Sequence, residues 1–537
     1  MQGGIHAAEI VMILLLLFVA AFAALASKLK TPYPIVLVVA GLILSVVPGI
    51  PRVRLDPNIV FVVVLPPLLY SAAWRTSWRD FYYNLVSILL LAFGLVGFTV
   101  LGVAFIAHLV FPGFDWRLGV VLGAVVAPTD SIAATSIAKK IGLPRRIVDV
   151  LEGESLVNDA TGLLALEFGI ALMFGGDLPT LTAGFFRLAY LVAAGLGIGL
   201  VVALVVNWFE RRIDDSRIEI TISILVPYAA YLAAESIHAS GVLAVVACGL
   251  YLSRRSATFF SAGVRMQVTA VWNALTFILN GLVFVLIGLQ MHYVVIGIKG
   301  FGMARLVLFG ALFSALVIVL RLLWTFPGAQ FAYFVRSRLL GQTGEKPSMS
   351  QIFVVGWTGM RGVIALAAAL SLPEALTDGS PFPQRNIIIF LTFTVILVTL
   401  VVQGLTLPAV IRVLGLAAEG HTNEEDDARR LMLQAALDYL ERQREKNNGE
   451  FAEIYNDLAD HYQHQLASLG GDGHEETSEV YSRFLEISRD LLGVEREKII
   501  SLRDEGRISD EVLRRLETEL DLNETRLLLA SSGQADE

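Results

Sequence analysis

The chain has a single cysteine among its 537 residues, Cys248, which lies in an apolar run. One thiol excludes a disulfide within the chain, and its apolar surroundings predict a small residue packed in a core. The apolar segments also lack a His-Glu-x-x-His zinc motif, a Gly-x-Ser-Gly nucleophile motif and an Asp-Asp-x-x-Asp metal motif. These absences argue against redox chemistry and against an enzyme that acts within the membrane.

Charged residues are also scarce. Asp, Glu, Lys and Arg make up 17% of the chain and hydrophobic residues 55%, with a mean hydropathy of +0.67. This composition excludes an ordinary soluble globular protein and indicates a polytopic membrane protein. No basic leader precedes the first apolar run, so we expect this run to be retained as a span.

Thirteen apolar runs are long enough to cross the roughly 30 Å hydrocarbon core of a bilayer. They lie near residues 7–26, 32–48, 58–74, 84–111, 117–139, 146–174, 183–208, 218–237, 239–253, 268–290, 303–326, 350–371 and 386–414. If the N-terminus is outside, the loops on one side hold 17 Lys and Arg residues and those on the other side hold 7. The positive-inside rule then places the C-terminal tail in the cytoplasm.

The chain changes character after the last apolar run. The net charge of −8 divides into +8 before Glu419 and −16 from there onward. Amphipathic helices are predicted near residues 426–447, 449–468, 475–503 and 509–530. We therefore expect an all-α transmembrane domain over residues 1–416 and an acidic, cytoplasmic, helical domain over residues 417–537.

Two of the spans are interrupted by residues that break helices. Span 5 contains Ala127-Pro-Thr-Asp130, and span 12 contains three glycines around Arg361, within Gly356–Gly362. If spans 1–6 and 8–13 are inverted repeats, these two spans correspond. Paired broken helices at matching positions of two halves indicate the substrate site of a transporter.

Acidic residues inside span 6 give the strongest functional signal. An ionisable group at the bilayer centre costs about 2.5–3.5 kcal/mol on insertion scales, which makes Glu154 and Asp159 candidates for a functional site. Ser155 and Asp159 share one helix face, and Glu154 and Asn158 share the neighbouring face. One face could hold an ion while the other is anchored. We expect Asp159 to coordinate the ion rather than to serve as a structural carboxylate.

The interrupted span 5 offers further ligands. Asp130 could cap the half-helix that follows it or bind a cation directly, and both alternatives stay open. Thr129 could offer its hydroxyl and carbonyl groups to a cation or be an ordinary turn residue. Glu152, near the start of span 6, could attract cations or belong to a solvated helix start.

Two arginines lie deep in apolar spans and need partners. Glu154 is the economical partner for Arg321, which leaves Asp159 free to titrate. We expect Arg361 to neutralise the carbonyl ends of the broken helices. The alternative is that each arginine lines a water-filled cavity and has no specific partner.

Taken in order, Ala127-Pro-Thr-Asp130, Gly153-Glu-Ser-Leu-Val-Asn-Asp159, Arg321 and Gly359-Met-Arg-Gly362 resemble the motifs of the monovalent cation/proton antiporter family, in the bacterial sodium/proton exchanger branch. The resemblance implies a thirteen-span inverted-repeat fold, a homodimer, and a core domain that moves against a dimerisation domain.

The resemblance also implies an ion-binding site. Asp159 would carry either Na+ or a proton, beside the neutral Asn158, with Thr129, Asp130 and Ser155 as further ligands. Glu154 and Arg321 would form a structural ion pair. Many members have an acid where this chain has Ser71, so the resemblance names no partner for Arg361.

The expected function is secondary active exchange of Na+, or of Li+ or K+, for protons across the cell membrane. One free carboxylate per site predicts one-for-one, electroneutral exchange, which would serve pH and sodium homeostasis. A K+/proton antiporter is the alternative. A membrane enzyme using Asp130 and Asp159, or a cation channel, has less support, because paired broken helices favour alternating access over a continuous pore. We expect no cofactor and no nucleic-acid partner.

Overall fold

A computed structural model describes residues 2–47, 56–111, 113–174, 181–213, 215–296, 298, 302–342, 346–376, 379–416, 422–446, 452–468, 475–505 and 507–532. Within these ranges the regular elements are helices, which confirms the predicted all-α class. The chain divides into two compact units, Met1–Ala417 and Ala418–Glu537.

The first unit contains eighteen α-helices among its described residues. They are α1 (Gln2–Lys28), α2 (Tyr33–Ser45), α3 (Leu65–Arg75), α4 (Trp78–Tyr83), α5 (Leu85–Leu89), α6 (Val96–Val110), α7 (Trp116–Val126), α8 (Ser131–Ile141), α9 (Arg145–Met173), α10 (Leu181–Glu210), α11 (Ser216–Ser236), α12 (Gly241–Phe259), α13 (Ala262–Ile296), α14 (Met303–Phe334), α15 (Met349–Trp357), α16 (Val363–Leu370), α17 (Arg385–Val398) and α18 (Gly404–Val413). Four π-helical segments continue neighbouring helices, at Ile59–Val64, Leu90–Leu95, Val335–Leu339 and Thr399–Gln403.

Eight helical segments in the described part of the chain are long and apolar enough to cross a membrane, judged by length and composition. Three shorter apolar helices, Met12–Lys28, Tyr33–Ser45 and Ile59–Arg75, add to them. The multi-pass character is therefore confirmed, whereas the count of thirteen spans stays a prediction.

By their main contacts the helices of this unit can be taken in two groups, which share a hydrophobic core and also contact each other, as α13 and α17 do. In the first group, α7 packs against α6 and α9, and α14 packs against α15 and α17. In the second group, α2 packs against α13, and α3, α10 and α11 pack against α12. Small residues allow the close contacts, as where Gly41 and Gly288 lie between the backbones of α2 and α13. Helix α9 contacts both groups, through α7 and α8 and through α3 and α12.

Both predicted interruptions are present. Helix α7 ends at Val126 and α8 begins at Ser131, while α15 ends at Trp357 and α16 begins at Val363. Pro128 lacks a backbone N–H and so cannot continue the hydrogen-bond ladder of α7. The two broken segments meet at their breaks, where the backbone N–H of Asp130 donates to the carbonyl of Met360 at 2.8 Å.

The second unit consists of four further helices in its described ranges: α19 (Thr422–Lys446), α20 (Ala452–Ser468), α21 (Glu475–Asp504) and α22 (Asp510–Ser532). Helix α19 packs against α20, and α21 packs against α22. A few leucines, including Leu433, Leu485 and Leu513, are buried between them. The helices therefore bury a narrow apolar stripe and leave their charged faces exposed.

Candidate ion-binding site

Asp159 lies near the middle of α9 and lines a cavity of about 390 Å³. Its side chain is buried, with a relative exposure of 5%. In the described part of the chain, no hydrogen bond or ion pair engages its carboxylate. Ser155, one turn earlier on the same helix face, lines the same cavity. The 155/159 face of α9 is therefore the one that an ion could reach.

The neighbouring face of α9 is anchored. Glu154 accepts two hydrogen bonds from Arg321, at 2.5 Å from Nη1 and 2.8 Å from Nη2. Both side chains are 1% exposed. The Thr129 hydroxyl donates to Glu154 at 3.0 Å, and Arg321 Nη2 donates to the carbonyl of Val355 at 3.1 Å. This ion pair ties α9 and α14 to both broken segments, in the bidentate geometry that makes a charge-assisted hydrogen bond strong.

Asn158 extends this network. Its Nδ2 donates to the Thr129 hydroxyl oxygen at 2.7 Å, so that hydroxyl accepts one hydrogen bond and donates another. Asn158 Oδ1 is buried and has no hydrogen-bond partner among the described residues. The Thr129 side chain is consequently held between Asn158 and Glu154 and does not point freely into the cavity.

Asp130 caps α8 and also lines the cavity. Its Oδ1 accepts a hydrogen bond from the backbone N–H of Ile132 at 2.8 Å, which is the arrangement of a helix N-cap. Next to it, the N–H of Ser131 donates to Ser155 Oγ at 3.4 Å. The capping role left open by the sequence is thus present, and it uses one of the two carboxylate oxygens.

Arg361 is 1% exposed and bonds to backbone carbonyls. Its Nε donates to the carbonyl of Val126 at 3.1 Å, at the C-terminal end of α7, and its Nη1 donates to the carbonyl of Gly359. A cation stabilises the negative end of a helix dipole. Ser71 accepts a hydrogen bond from Arg75 Nη2 at 3.0 Å.

Two glycines allow the breaks to approach their neighbours. A Cβ atom on Gly162 of α9 would overlap the ring of Pro128, and one on Gly362 would overlap the side chain of Asp130. The proline ring cannot swing away as a flexible side chain would. Both positions therefore need a residue without a side chain for the two breaks to lie beside α9.

One wall of the cavity is formed by residues that were not predicted from the sequence. Asn273, Thr276 and Asn280 of α13 line it, together with Tyr33. Asn280 Oδ1 is buried and has no hydrogen-bond partner among the described residues. The signal was present, because the three α13 residues recur at helical spacing and form one polar stripe on an otherwise apolar span. Of the acids near the start of α9, Glu152 lines the cavity.

Comparison with known proteins gives a consistent family. A sequence model described as "Sodium/hydrogen exchanger, transmembrane" matches residues 13–413. A Mycobacterium tuberculosis protein named as an uncharacterized Na+/H+ exchanger is 34% identical over 536 residues, which cover 98% of this chain and 97% of the relative. A Bacillus pumilus protein named as a sodium, potassium, lithium and rubidium/H+ antiporter is 32% identical over 387 residues, covering 70% of this chain and 57% of that protein.

A solved structure shares the fold. The sodium proton antiporter MjNhaP1 from Methanocaldococcus jannaschii has a TM-score of 0.57 and 18% identity, covering 76% of this chain and 99% of that chain. The family match and the close full-length relative support the same assignment. The chain therefore belongs to the sodium/hydrogen exchanger family, and it is a multi-pass membrane antiporter rather than an enzyme.

Proposed function

We propose that the protein exchanges one Na+, Li+ or K+ ion for one proton, and that Asp159 carries both in turn. The observation that carries this proposal is the contrast between two acids on one helix. Glu154 is neutralised by Arg321, whereas Asp159 faces the cavity and no ion pair among the described residues engages it. A buried carboxylate without a counter-charge favours binding a proton or a cation.

The oxygens around Asp159 would replace part of the hydration shell of the cation. Asp130 could contribute the carboxylate oxygen that does not cap α8, and Ser155 its hydroxyl. The hydroxyl of Thr129 is engaged by Glu154 and Asn158, so its backbone carbonyl is the group we assign to the cation. Carbonyl, hydroxyl and carboxylate oxygens are suitable ligands for such hard cations.

Two cavities along α9, one beside residues 152–159 and the other beside residues 157–167, support alternating access. The first cavity reaches from Asp159 to Glu152 and Arg75. The second has a volume of about 300 Å³ and is lined by Thr161, Glu167, Arg187, Glu235 and His238, among others. Under the positive-inside orientation, the first cavity faces the cytoplasm. We infer an inward-facing arrangement, in which movement of the helix group that contains α7, α9 and α15 would expose Asp159 to the second cavity.

Other properties rest on the family resemblance and on charge. We propose that the protein is a homodimer in the cell membrane, with its N-terminus outside. The acidic unit of residues 418–537 would lie in the cytoplasm and adjust the response of exchange to pH. Exchange of Na+ for protons would then contribute to pH and sodium homeostasis.

The cation preference decides between a sodium exchanger and a K+/H+ antiporter. The Bacillus pumilus relative is named for four alkali cations, so we propose that this chain also accepts more than one. The test is the pH change inside proteoliposomes when equal gradients of Na+, Li+ or K+ are applied, with protein-free liposomes as the control. Exchange of protons with at least one of the three cations is expected. A reconstituted, folded protein that exchanges none of them would overturn the proposal.

A further inference from the structure

Two arginines meet at one tyrosine ring, away from the ion-binding cavity. Arg336, in the π-helical segment after α14, has its guanidinium carbon 5.2 Å from the centre of the Tyr83 ring. Arg146, at the start of α9, lies 5.6 Å from the centre of the same ring. The ring therefore gathers two cations from two different helices, and each is stabilised in part by the face of the aromatic system.

Arg336 is buried with little to neutralise it. Its relative exposure is 5%. Its Nη1 donates a long hydrogen bond, 3.4 Å, to Asn84 Oδ1, and its Nε is buried without an acceptor among the described residues. No carboxylate in the described part of the chain forms an ion pair with Arg336 or Arg146. A buried arginine without a counter-charge is costly unless an anion completes its environment.

The start of α9 adds a third favourable feature. Arg146 is the second residue of this 29-residue helix, and its N-cap, Pro144, provides no side-chain hydrogen bond. The first N–H groups of an uncapped helix attract anions, through the unpaired donors and through the positive end of the helix dipole. Two arginines and an uncapped helix start are thus brought together around Tyr83, at the end of the transmembrane unit that holds most Lys and Arg residues.

We propose that Arg146, Arg336 and the start of α9 bind an anionic phosphate group, and that its source is the headgroup of an anionic lipid. Arginine pairs with phosphate in a bidentate geometry. Basic pockets between transmembrane helices on the cytoplasmic side are suited to lipid headgroups. The site lies apart from Asp159, and it does not depend on the identity of the transported cation.

The test measures the thermal stability of the purified full-length protein in dodecyl maltoside. Dioleoylphosphatidylglycerol, dioleoylphosphatidylcholine or inorganic phosphate is added in separate titrations. We compare the wild type with Arg146→Gln and Arg336→Gln, and with Arg338→Gln as the matched control. Arg338 lies two residues from Arg336 and is exposed, so its variant removes the same charge from the same segment without altering the cluster at Tyr83.

We expect phosphatidylglycerol to raise the Tm of the wild type and of Arg338→Gln more than phosphatidylcholine does. At least half of this difference should be lost in Arg146→Gln and in Arg336→Gln. If inorganic phosphate alone raises the Tm, and this rise is lost in the same two variants, the phosphate site would be supported. Its ligand would then be a soluble phosphate and not a lipid. An equal response of all four proteins would overturn the proposal. If Arg336→Gln does not fold, the half-buried Arg146 still provides the decisive comparison.

Discussion

Arg321 donates two hydrogen bonds to Glu154, at 2.5 and 2.8 Å, and both side chains are almost fully buried. The pair removes Glu154 from ion chemistry and uses it to hold the helices around the breaks together. Asp159, five residues further along α9 and on the neighbouring face, retains a carboxylate that faces the cavity. Because we assign Glu154 to anchoring the helices and Asp159 to carrying the ion, we expect substitutions at these two positions to have different effects.

The first prediction concerns the carrying acid. Asp159→Asn keeps the size of the side chain and its ability to form hydrogen bonds, but it cannot exchange a proton for a cation. We expect cation-driven pH changes in proteoliposomes to fall to the level of protein-free liposomes, with an unchanged Tm and elution volume. Glu374→Gln, which removes an exposed acid away from the cavity, serves as control. Exchange at the wild-type rate by folded Asp159→Asn protein would exclude Asp159 as the carrier.

The second prediction concerns the anchoring pair. Removing one partner of a buried ion pair leaves an uncompensated charge and typically costs about 3–5 kcal/mol. We therefore expect Glu154→Ala and Arg321→Ala each to lower the Tm and the yield of folded protein. The double variant should be more stable than at least one of the single variants, because neither charge is left alone.

An exposed ion pair provides the comparison for this cycle. Arg187 and Glu167 lie 3.3 Å apart, with side-chain exposures of 38% and 59%. Such pairs contribute about 0–1 kcal/mol, so Arg187→Ala and Glu167→Ala should change the Tm little. If the buried and exposed pairs gave equal effects, burial would not be what makes the Glu154 and Arg321 contact important.

The charged residues of the site could be predicted from the sequence more completely than the other residues that line the cavity. Deep charges in apolar spans are unusual enough to identify Glu154, Asp159, Arg321 and Arg361 individually. Helix geometry then separated the two faces of α9. The proline and glycine residues located both breaks, since those residues act on the backbone where they stand.

What the sequence could not give was the set of neighbours that folding brings together. The Thr129 hydroxyl is held by Asn158 and Glu154, from positions more than twenty residues away. The polar stripe on α13 reaches the cavity through the packing of α13 against α2, α3 and α16, a placement that no local pattern specifies. Arg361 was expected to neutralise the carbonyl ends of the broken helices, but the sequence could not say which carbonyl it contacts, that of Val126 at the end of α7.

The third prediction tests the packing of the first break. A methyl group on Gly162 would overlap the rigid ring of Pro128, so Gly162→Ala must displace the break or α9. Overpacking of this kind typically costs about 1–3 kcal/mol, and we expect a lower Tm and slower exchange. At Gly97 of α6, no atom lies within 4 Å of the position that a Cβ atom would occupy, so Gly97→Ala should be neutral or slightly stabilising. Equal behaviour of the two variants would contradict the packing argument.

The fourth prediction concerns the acidic second unit. The residues that we assign to the ion site all precede residue 417, and residues 418–537 form a compact unit of their own. Removing residues 417–537 should therefore leave a membrane-inserted protein that still exchanges cations for protons. A shifted pH dependence of its exchange rate, relative to the full chain, would support a regulatory unit. Loss of all exchange by a stable truncated protein would show instead that this unit belongs to the transport machinery.

The last prediction concerns stoichiometry. Asp159, which lines the cavity, is the acid we assign as carrier; Asn158 beside it is neutral, and Glu154 is committed to Arg321. A carboxylate that has bound either one proton or one monovalent cation presents the same net charge to the moving helices, so exchange should be electroneutral.

The measurement is the equilibrium pH reached in proteoliposomes that hold a fixed Na+ gradient, with Na+ as the transported ion. K+ and valinomycin clamp the membrane potential at several values. Na+/Na+ exchange without a pH gradient provides the control for intact vesicles. The equilibrium pH should not depend on the potential. If it moves with voltage, more than one proton is exchanged per cation, and Asp130, whose second carboxylate oxygen is not used by the helix cap, becomes the first candidate for the additional carrier.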